Sequence, residues 1–118
     1  MKSSLTKRVV LVISILLLSG VAGTNNVALA QGSKTFNNPT IEGYRLDWCL
    51  RWGTQCGKSA ADAWCSRKMG KADGYAKKWK QAVDIGASFP TYVMGDKKIC
   101  NQQFCDGFQW ITCGFSLD

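Results

Sequence analysis

The sequence predicts a small disulfide-rich α+β domain in which one main helix packs on a small, mostly antiparallel sheet. Three observations carry this prediction. Six cysteines occur in a chain of 118 residues that begins with an export-like segment. One stretch, from Tyr44 to Met69, changes from a strand period to a helix period. The remainder holds short β-rich runs separated by turns, which together with a single helix is typical of an α+β domain.

Residues 1–30 have the pattern of a secretory signal peptide. Lys2, Lys7 and Arg8 form a basic head, residues 9–18 form an apolar run, and Ala28-Leu29-Ala30 resembles a cleavage site. The run is shorter than the roughly 20 residues that span a bilayer. We therefore expect a secreted protein, extracellular or periplasmic, with a mature chain of residues 31–118.

The charge of the expected mature chain is lower than that of the whole sequence. The full chain carries 15 basic and 8 acidic residues, a net charge of +7, and three of the basic residues lie in the predicted signal. The mature protein would carry +4. Its first residues, 31–39, are rich in small and polar types and contain Pro39. They predict a flexible lead-in to a single domain over residues 40–118.

A strand is predicted before the helix, because every even position from Tyr44 to Trp52 is apolar and the odd positions are polar or small. The helix is expected to begin with Ser59 as its cap, to carry Asp62 in its first turn, and to end before Gly70. Its buried stripe would include Trp64 and Cys65, so that a helix cysteine needs a partner elsewhere.

The second half of the chain predicts further strands. Residues 70–86 suit either a helix or a strand, and their periodicity does not decide between them. Residues 90–94 and 99–100 read as strands around a turn, and residues 108–113 as a final strand. In that strand Phe108, Trp110 and Thr112 would share one face, opposite Ile111 and Cys113.

Export and an even number of cysteines predict three disulfides formed in an oxidising compartment. Six cysteines allow fifteen pairings, and their spacing does not choose among them. A set of local bridges, above all Cys100 to Cys105, is one alternative. The cysteines are Cys49, Cys56, Cys65, Cys100, Cys105 and Cys113.

Two motifs resemble scavenger receptor cysteine-rich domains. Residues 52–56 read Trp-Gly-Thr-Gln-Cys, and residues 61–70 read Ala-Asp-Ala-Trp-Cys-Ser-Arg-Lys-Met-Gly. They are similar to that family's Trp-Gly-Thr-Val-Cys strand and to the cysteine-containing helix that follows it. The resemblance implies a ligand-binding module and three bridges. These are Cys49–Cys100, Cys56–Cys105 and Cys65–Cys113.

Catalysis is not expected from this composition. The chain has no histidine, which removes the commonest general base and the commonest zinc ligand. Oxidised cysteines leave no thiolate nucleophile or thiolate metal site. Glu42 is the only glutamate, and each aspartate suits a cap, a turn or a strand surface. We therefore predict a non-enzymatic protein without a cofactor or a metal.

A basic stretch with interleaved aromatic residues is the candidate binding surface. Residues 67–80 hold six basic residues against one acid, Asp73. The candidate ligand-binding residues are Arg67, Lys68, Lys71, Tyr75, Lys77, Lys78, Trp79 and Lys80. Trp79, Tyr75 or Tyr92 could form an exposed aromatic platform, while Trp48, Trp52, Trp64 and Trp110 are expected in the core. A solvated surface without a ligand is the alternative interpretation of such a lysine run.

The predicted function is a secreted, monomeric binding module for a polyanionic or carbohydrate ligand, such as an anionic glycan, or for an extracellular protein. The alternatives are a cationic effector, toxin-like or antimicrobial, acting at membrane surfaces, and a small enzyme inhibitor. Peripheral membrane contact is compatible with the charge. A nucleic-acid partner is not expected, since no binding motif is present.

Overall fold

The computed structural model describes residues 31–70 and 74–116. Within them there are one helix and nine strands, and the strands form three sheets. This arrangement confirms the predicted small disulfide-rich α+β fold. The sheet orders are β1-β9-β6, β2-β3-β7-β8 and β4-β5. The predicted signal peptide, residues 1–30, lies outside the described residues. The elements are β1 (Gln31–Asn37), β2 (Thr40–Ile41), β3 (Tyr44–Leu46), β4 (Cys49–Arg51), β5 (Thr54–Cys56), α1 (Lys58–Met69), β6 (Tyr75–Ala82), β7 (Thr91–Val93), β8 (Lys98–Cys100) and β9 (Gly107–Ser116).

The core lies between the helix and the sheet β1-β9-β6. The helix contacts both β6 and β9, which pair antiparallel along most of their length. Leu46, Trp64, Phe108 and Ile111 are buried together there. The stretch of residues 70–86, whose periodicity suits both elements, thus contributes strand β6. The predicted strands at residues 90–94 and 99–100 are confirmed as the antiparallel pair β7 and β8.

Residues 31–39 are not a flexible lead-in, because residues 31–37 form the edge strand β1 beside β9. The ring of Phe36 packs edge-on against Trp64, with centroids 5.1 Å apart. The hydroxyls of Thr35 and Thr112 are hydrogen-bonded at 2.6 Å, and the backbone N–H of Asn38 donates to the Gln109 carbonyl. The packing of Phe36 and the hydrogen bonds to β9 therefore order a segment whose composition predicts flexibility.

The strand predicted over residues 44–52 is divided into two. Strand β3 pairs with β2 and β7, whereas β4 turns back at Trp52-Gly53 to pair with β5. The division lies at Asp47, whose carboxylate accepts a hydrogen bond from the Cys49 N–H and bends the chain locally. Trp52 consequently lies in a hairpin turn and is 49% exposed, so its prediction as a core residue is wrong.

The helix begins one residue before the predicted cap Ser59, and its N-cap is Gly57 without a side-chain hydrogen bond. Gly57 has φ of 72°, and a Cβ there would lie 3.1 Å from the indole of Trp48, so both backbone and packing require glycine. Asp62 lies beyond the first turn. Its carboxylate instead accepts hydrogen bonds from Lys58 and from the Ala76 N–H. The helix ends at Gly70 as predicted, in the left-handed conformation.

A β-bulge in β9 changes the predicted faces of the final strand. Lys80 lies opposite Trp110 and Gln81 lies opposite Phe108, which leaves Gln109 as an extra residue. Phe108 therefore joins Ile111 in the core. Trp110 points to the opposite face of the sheet, where it is partly exposed, so its prediction as a core residue is also wrong.

One disulfide is as predicted and two are not. Cys65–Cys113 joins the helix to β9 across 48 residues. The other bridges are local, Cys49–Cys56 and Cys100–Cys105, so the predicted Cys49–Cys100 and Cys56–Cys105 are wrong. Cys49 and Cys56 are direct cross-strand partners in the β4-β5 hairpin, which brings their sulfurs together. Cys100–Cys105 closes the loop after β8.

All six cysteines are bonded, which indicates an oxidising, extracellular-type environment. In the part of the chain that the structure describes, no helix has both the length and the apolar character needed to cross a bilayer.

A candidate basic groove

Strand β6 presents its lysines away from the core. Ala76 is buried and Trp79 packs against the core, whereas Lys77, Lys78 and Lys80 are exposed. The alternation of a strand separates these two sets, and a bulge near Lys77 places an additional lysine outside. None of the three lysines forms an ion pair with another described residue. The three lysines are therefore available to a ligand. Trp79, in contrast, packs against the core and does not form the predicted exposed platform.

Trp110 takes the aromatic position that was predicted for Trp79. It lies opposite Lys80 on the outer face of the sheet, and Thr112 lies opposite Lys78. The ring of Tyr75 lies over Gly114 on the same face, 2.7 Å from where a Cβ would be, and is partly exposed. The outer face thus combines cations with aromatic rings.

A second group of cations lies at the end of the helix. The ammonium of Lys68 lies 5.6 Å from the Phe36 ring centroid and 6.0 Å from that of Trp64. Lys34 approaches the Phe36 ring at 5.3 Å. These distances are those of cation–π contacts, which hold a lysine over a ring while its charge stays in solvent. Arg67 is already paired with Glu42 at 3.0 Å.

Three neighbouring shallow depressions lie between the two groups. The first lies beside Thr40, Arg67 and Lys68, and the second crosses β1 between Lys68 and Asn37. The third lies on the outer sheet face and reaches Lys78 and Trp110. Neighbouring depressions share lining residues. We call this surface the basic groove, and its residues are Thr35, Asn37, Arg67, Lys68, Lys78 and Trp110.

The structure brings most of the predicted ligand-binding residues to this region. Arg67, Lys68 and Lys78 line the groove, and Tyr75, Lys77 and Lys80 lie on the sheet face beside it. Trp79 faces inward, and Lys71 lies outside the described residues. The remaining platform candidate, Tyr92, stacks on Tyr44 with centroids 6.3 Å apart, on a different sheet.

The sequence interpretation missed Thr35, Asn37 and Trp110. Thr35 and Asn37 lie in the segment that was predicted to be flexible. Trp110 could have been found, because the alternation of the last strand already separates it from Ile111 and Cys113. What was lacking was the register that places Trp110 opposite Lys80.

The groove offers ammonium and guanidinium groups, hydroxyls, an amide and an indole ring. This set can bind anionic and hydroxyl groups of a ligand. Among the described residues, no three His, Cys, Asp or Glu side chains are grouped as metal ligands.

Comparison of the chain with protein-family models, with curated proteins and with solved structures found no match in any of the three. The resemblance to scavenger receptor cysteine-rich domains stays a prediction that depends on its two motifs.

Proposed function

We propose that the protein is a secreted, non-catalytic binding module that recognises an extended polyanionic glycan through the basic groove. The observation that carries this proposal is that the depression lined by Lys68 adjoins the one lined by Lys78, with Thr35 and Asn37 common to both. An elongated chain with repeated anionic groups can contact both groups of cations at once, whereas a small anion can contact only one.

The side chains of the groove suit an anionic sugar chain. Lys68, Lys78 and the adjacent Lys80 supply charge, and long-range attraction of this kind also raises the association rate. The exposed part of Trp110 can pack on the apolar face of a sugar ring. Secretion is supported by the signal-like residues 1–30 and by an environment that allows disulfides.

Heparin affinity chromatography tests the proposal on the secreted, oxidised protein. We expect retention that weakens as salt is added, since exposed charges are screened over about 10 Å at 0.1 M salt. The double variant Lys68→Ser/Lys78→Ser should lower the affinity by up to about thirtyfold, because an exposed ion pair contributes up to about 1 kcal/mol.

A matched control removes the same charge elsewhere. Lys97 and Lys98 are exposed at the β7-β8 turn, outside the groove. Lys97→Ser/Lys98→Ser should elute close to the wild-type protein. Equal losses in the two double variants would show that net charge, and not the groove, is responsible. Leakage of anionic vesicles without heparin retention would instead favour the membrane effector.

A further inference from the structure

A small cavity of 160 Å³ lies apart from the basic groove and shares no lining residue with it. Its wall is formed by the β4-β5 turn, by β7 and by the loop after β8. Cys49, Cys100 and Cys105 line it, so the two local disulfides brace both sides. The cavity is therefore lined by short cross-linked loops.

Two aromatic side chains at the cavity are unusually exposed. Trp52 is 49% exposed and Phe104 is 63% exposed. Both belong to constrained turns: the Trp52 N–H donates to Asp96 at 2.7 Å, and Phe104 lies within the Cys100–Cys105 loop. Large apolar side chains held in solvent at a concave surface mark a site of interaction.

Two carboxylates, Asp47 and Asp106, also line the cavity. Asp47 is only 6% exposed, and its oxygens accept hydrogen bonds from the Thr91 hydroxyl and the Cys49 N–H. Those of Asp106 accept from Gln81 and from the Asp84 N–H. All of these donors are neutral.

Neither acid forms an ion pair with a described residue, because the ion pairs found there use Glu42, Asp62 and Asp96. Burial raises the pKa of Asp47, although the hydrogen bonds from Thr91 and Cys49 act in the opposite direction. The cavity thus brings together two acidic side chains that have no cationic partner among the described residues, in a chain of positive net charge.

We propose that this cavity binds an arginine or lysine side chain presented by an extracellular partner protein. The cationic head would pair with Asp47 and Asp106, and the aliphatic stem would pack between Trp52 and Phe104. Charge complementarity and cation–π contact act together in such a site. Arginine is favoured over lysine, because its planar guanidinium both pairs with carboxylates and stacks on aromatic rings. This site is independent of the proposed glycan binding.

An NMR titration of the ¹⁵N-labelled oxidised protein with N-acetyl-arginine methylamide tests the proposal. The matched neutral probe is N-acetyl-citrulline methylamide, which has nearly the same shape and no charge. The arginine probe should shift the Trp52 indole N–H and the Asp106 amide with a Kd in the millimolar range, typical of one side chain. The citrulline probe should bind at least fivefold more weakly.

Variants localise the effect. Asp106→Asn and Trp52→Ala should each weaken arginine binding at least fivefold, while Phe89→Ala, a change at an exposed aromatic residue outside the cavity, should not. Trp52→Ala alters an exposed side chain and should fold even if Asp106→Asn does not. The proposal is overturned by equal binding of the two probes or by shifts that lie elsewhere. It is also overturned by a concentration-dependent dimer in sedimentation that occupies the cavity, since the occupant would then be a second copy.

Discussion

Removal of the long-range disulfide should destabilise the protein about twice as much as removal of either local one. Cys65–Cys113 closes a sequence separation of 48 residues, against 7 and 5 for the local bridges. In the chain-entropy model these separations correspond to about 4 kcal/mol for the long bridge and about 2 kcal/mol for each local bridge. Both sulfurs of the long bridge are also fully buried, so alanines there leave a gap in the core.

The assay is urea unfolding of the oxidised protein, followed by tryptophan fluorescence. Each bridge is removed by a double change to alanine, and the three variants are compared by their extrapolated free energies of unfolding. Free energies are used because loss of a cross-link also exposes more surface in the unfolded chain and raises the urea dependence. The double variants are Cys65→Ala/Cys113→Ala, Cys49→Ala/Cys56→Ala and Cys100→Ala/Cys105→Ala.

We expect the variant that lacks the long bridge to lose the most stability, to the point of showing no cooperative transition at 25 °C if the margin of the wild type is small. The two local variants should keep a cooperative transition at lower urea. If either local variant lost as much as the long-range variant, loop closure would not be the main effect. The local loops would then have to stabilise the folded state through their packing.

Two further predictions concern single residues. The variant Gly86→Ala should lower the free energy of unfolding by at least about 2 kcal/mol, measured by chemical denaturation. A Cβ at this position would lie 2.1 Å from the Gln102 carbonyl oxygen, so the backbone would have to move. Stability equal to that of the wild type would contradict this prediction. The pKa of Asp47 in the folded protein is raised, chiefly by burial, above its ordinary value of about 3.8. The folded state therefore binds this proton more tightly than the unfolded state does. As the pH rises from about 3.8 through the higher pKa, the free energy of unfolding should fall. The variant Asp47→Asn should lack this fall, and parallel pH profiles of the two proteins would refute the assignment.

The elements that the sequence predicts well are those specified by local chemistry. The helix ends at Gly70 because a residue in the left-handed conformation stops it. Strands β7 and β8 follow from β-rich residues around a turn. Cys65 faces the core because it lies on the apolar stripe with Trp64, although its partner Cys113 was implied only by the family resemblance. Each of these features depends on a few neighbouring residues.

The elements that were missed depend on residues far apart in the chain. Strand β1 is ordered by Phe36 against Trp64 and by Thr35 against Thr112, contacts that no local pattern shows. The division of the predicted strand at Asp47 depends on β7, whose Thr91 hydroxyl donates to that carboxylate. The two wrong disulfide pairs have a different cause: they came from the family resemblance, whereas the bridges in the structure join cysteines only 7 and 5 residues apart.

The cations of the basic groove were predicted from the sequence, whereas Thr35, Asn37 and Trp110 were not. The lysine run shows which side chains carry charge, but its periodicity does not decide between helix and strand, and the bulge near Lys77 breaks the alternation. The register of β6 on β9 places Trp79 opposite the buried Ile111 and Trp110 opposite Lys80, while the bulge at Gln109 turns Phe108 into the core. The pairing of β6 with β9 thus determines which tryptophan lies beside the lysines.

Strand β9 connects the core of the domain with its proposed binding surface. Its inward residues, Ile111 and Cys113, pack in the core, and Cys113 is bonded to the helix. Its outward residues, Trp110 and Thr112, face the lysines of β6. Because the long-range disulfide fixes this strand against the helix, it also fixes the distance between the two groups of cations that an extended ligand must span. The cavity beside Trp52 depends on the local disulfides instead, so the two proposed sites are supported by different covalent bonds and can be tested separately.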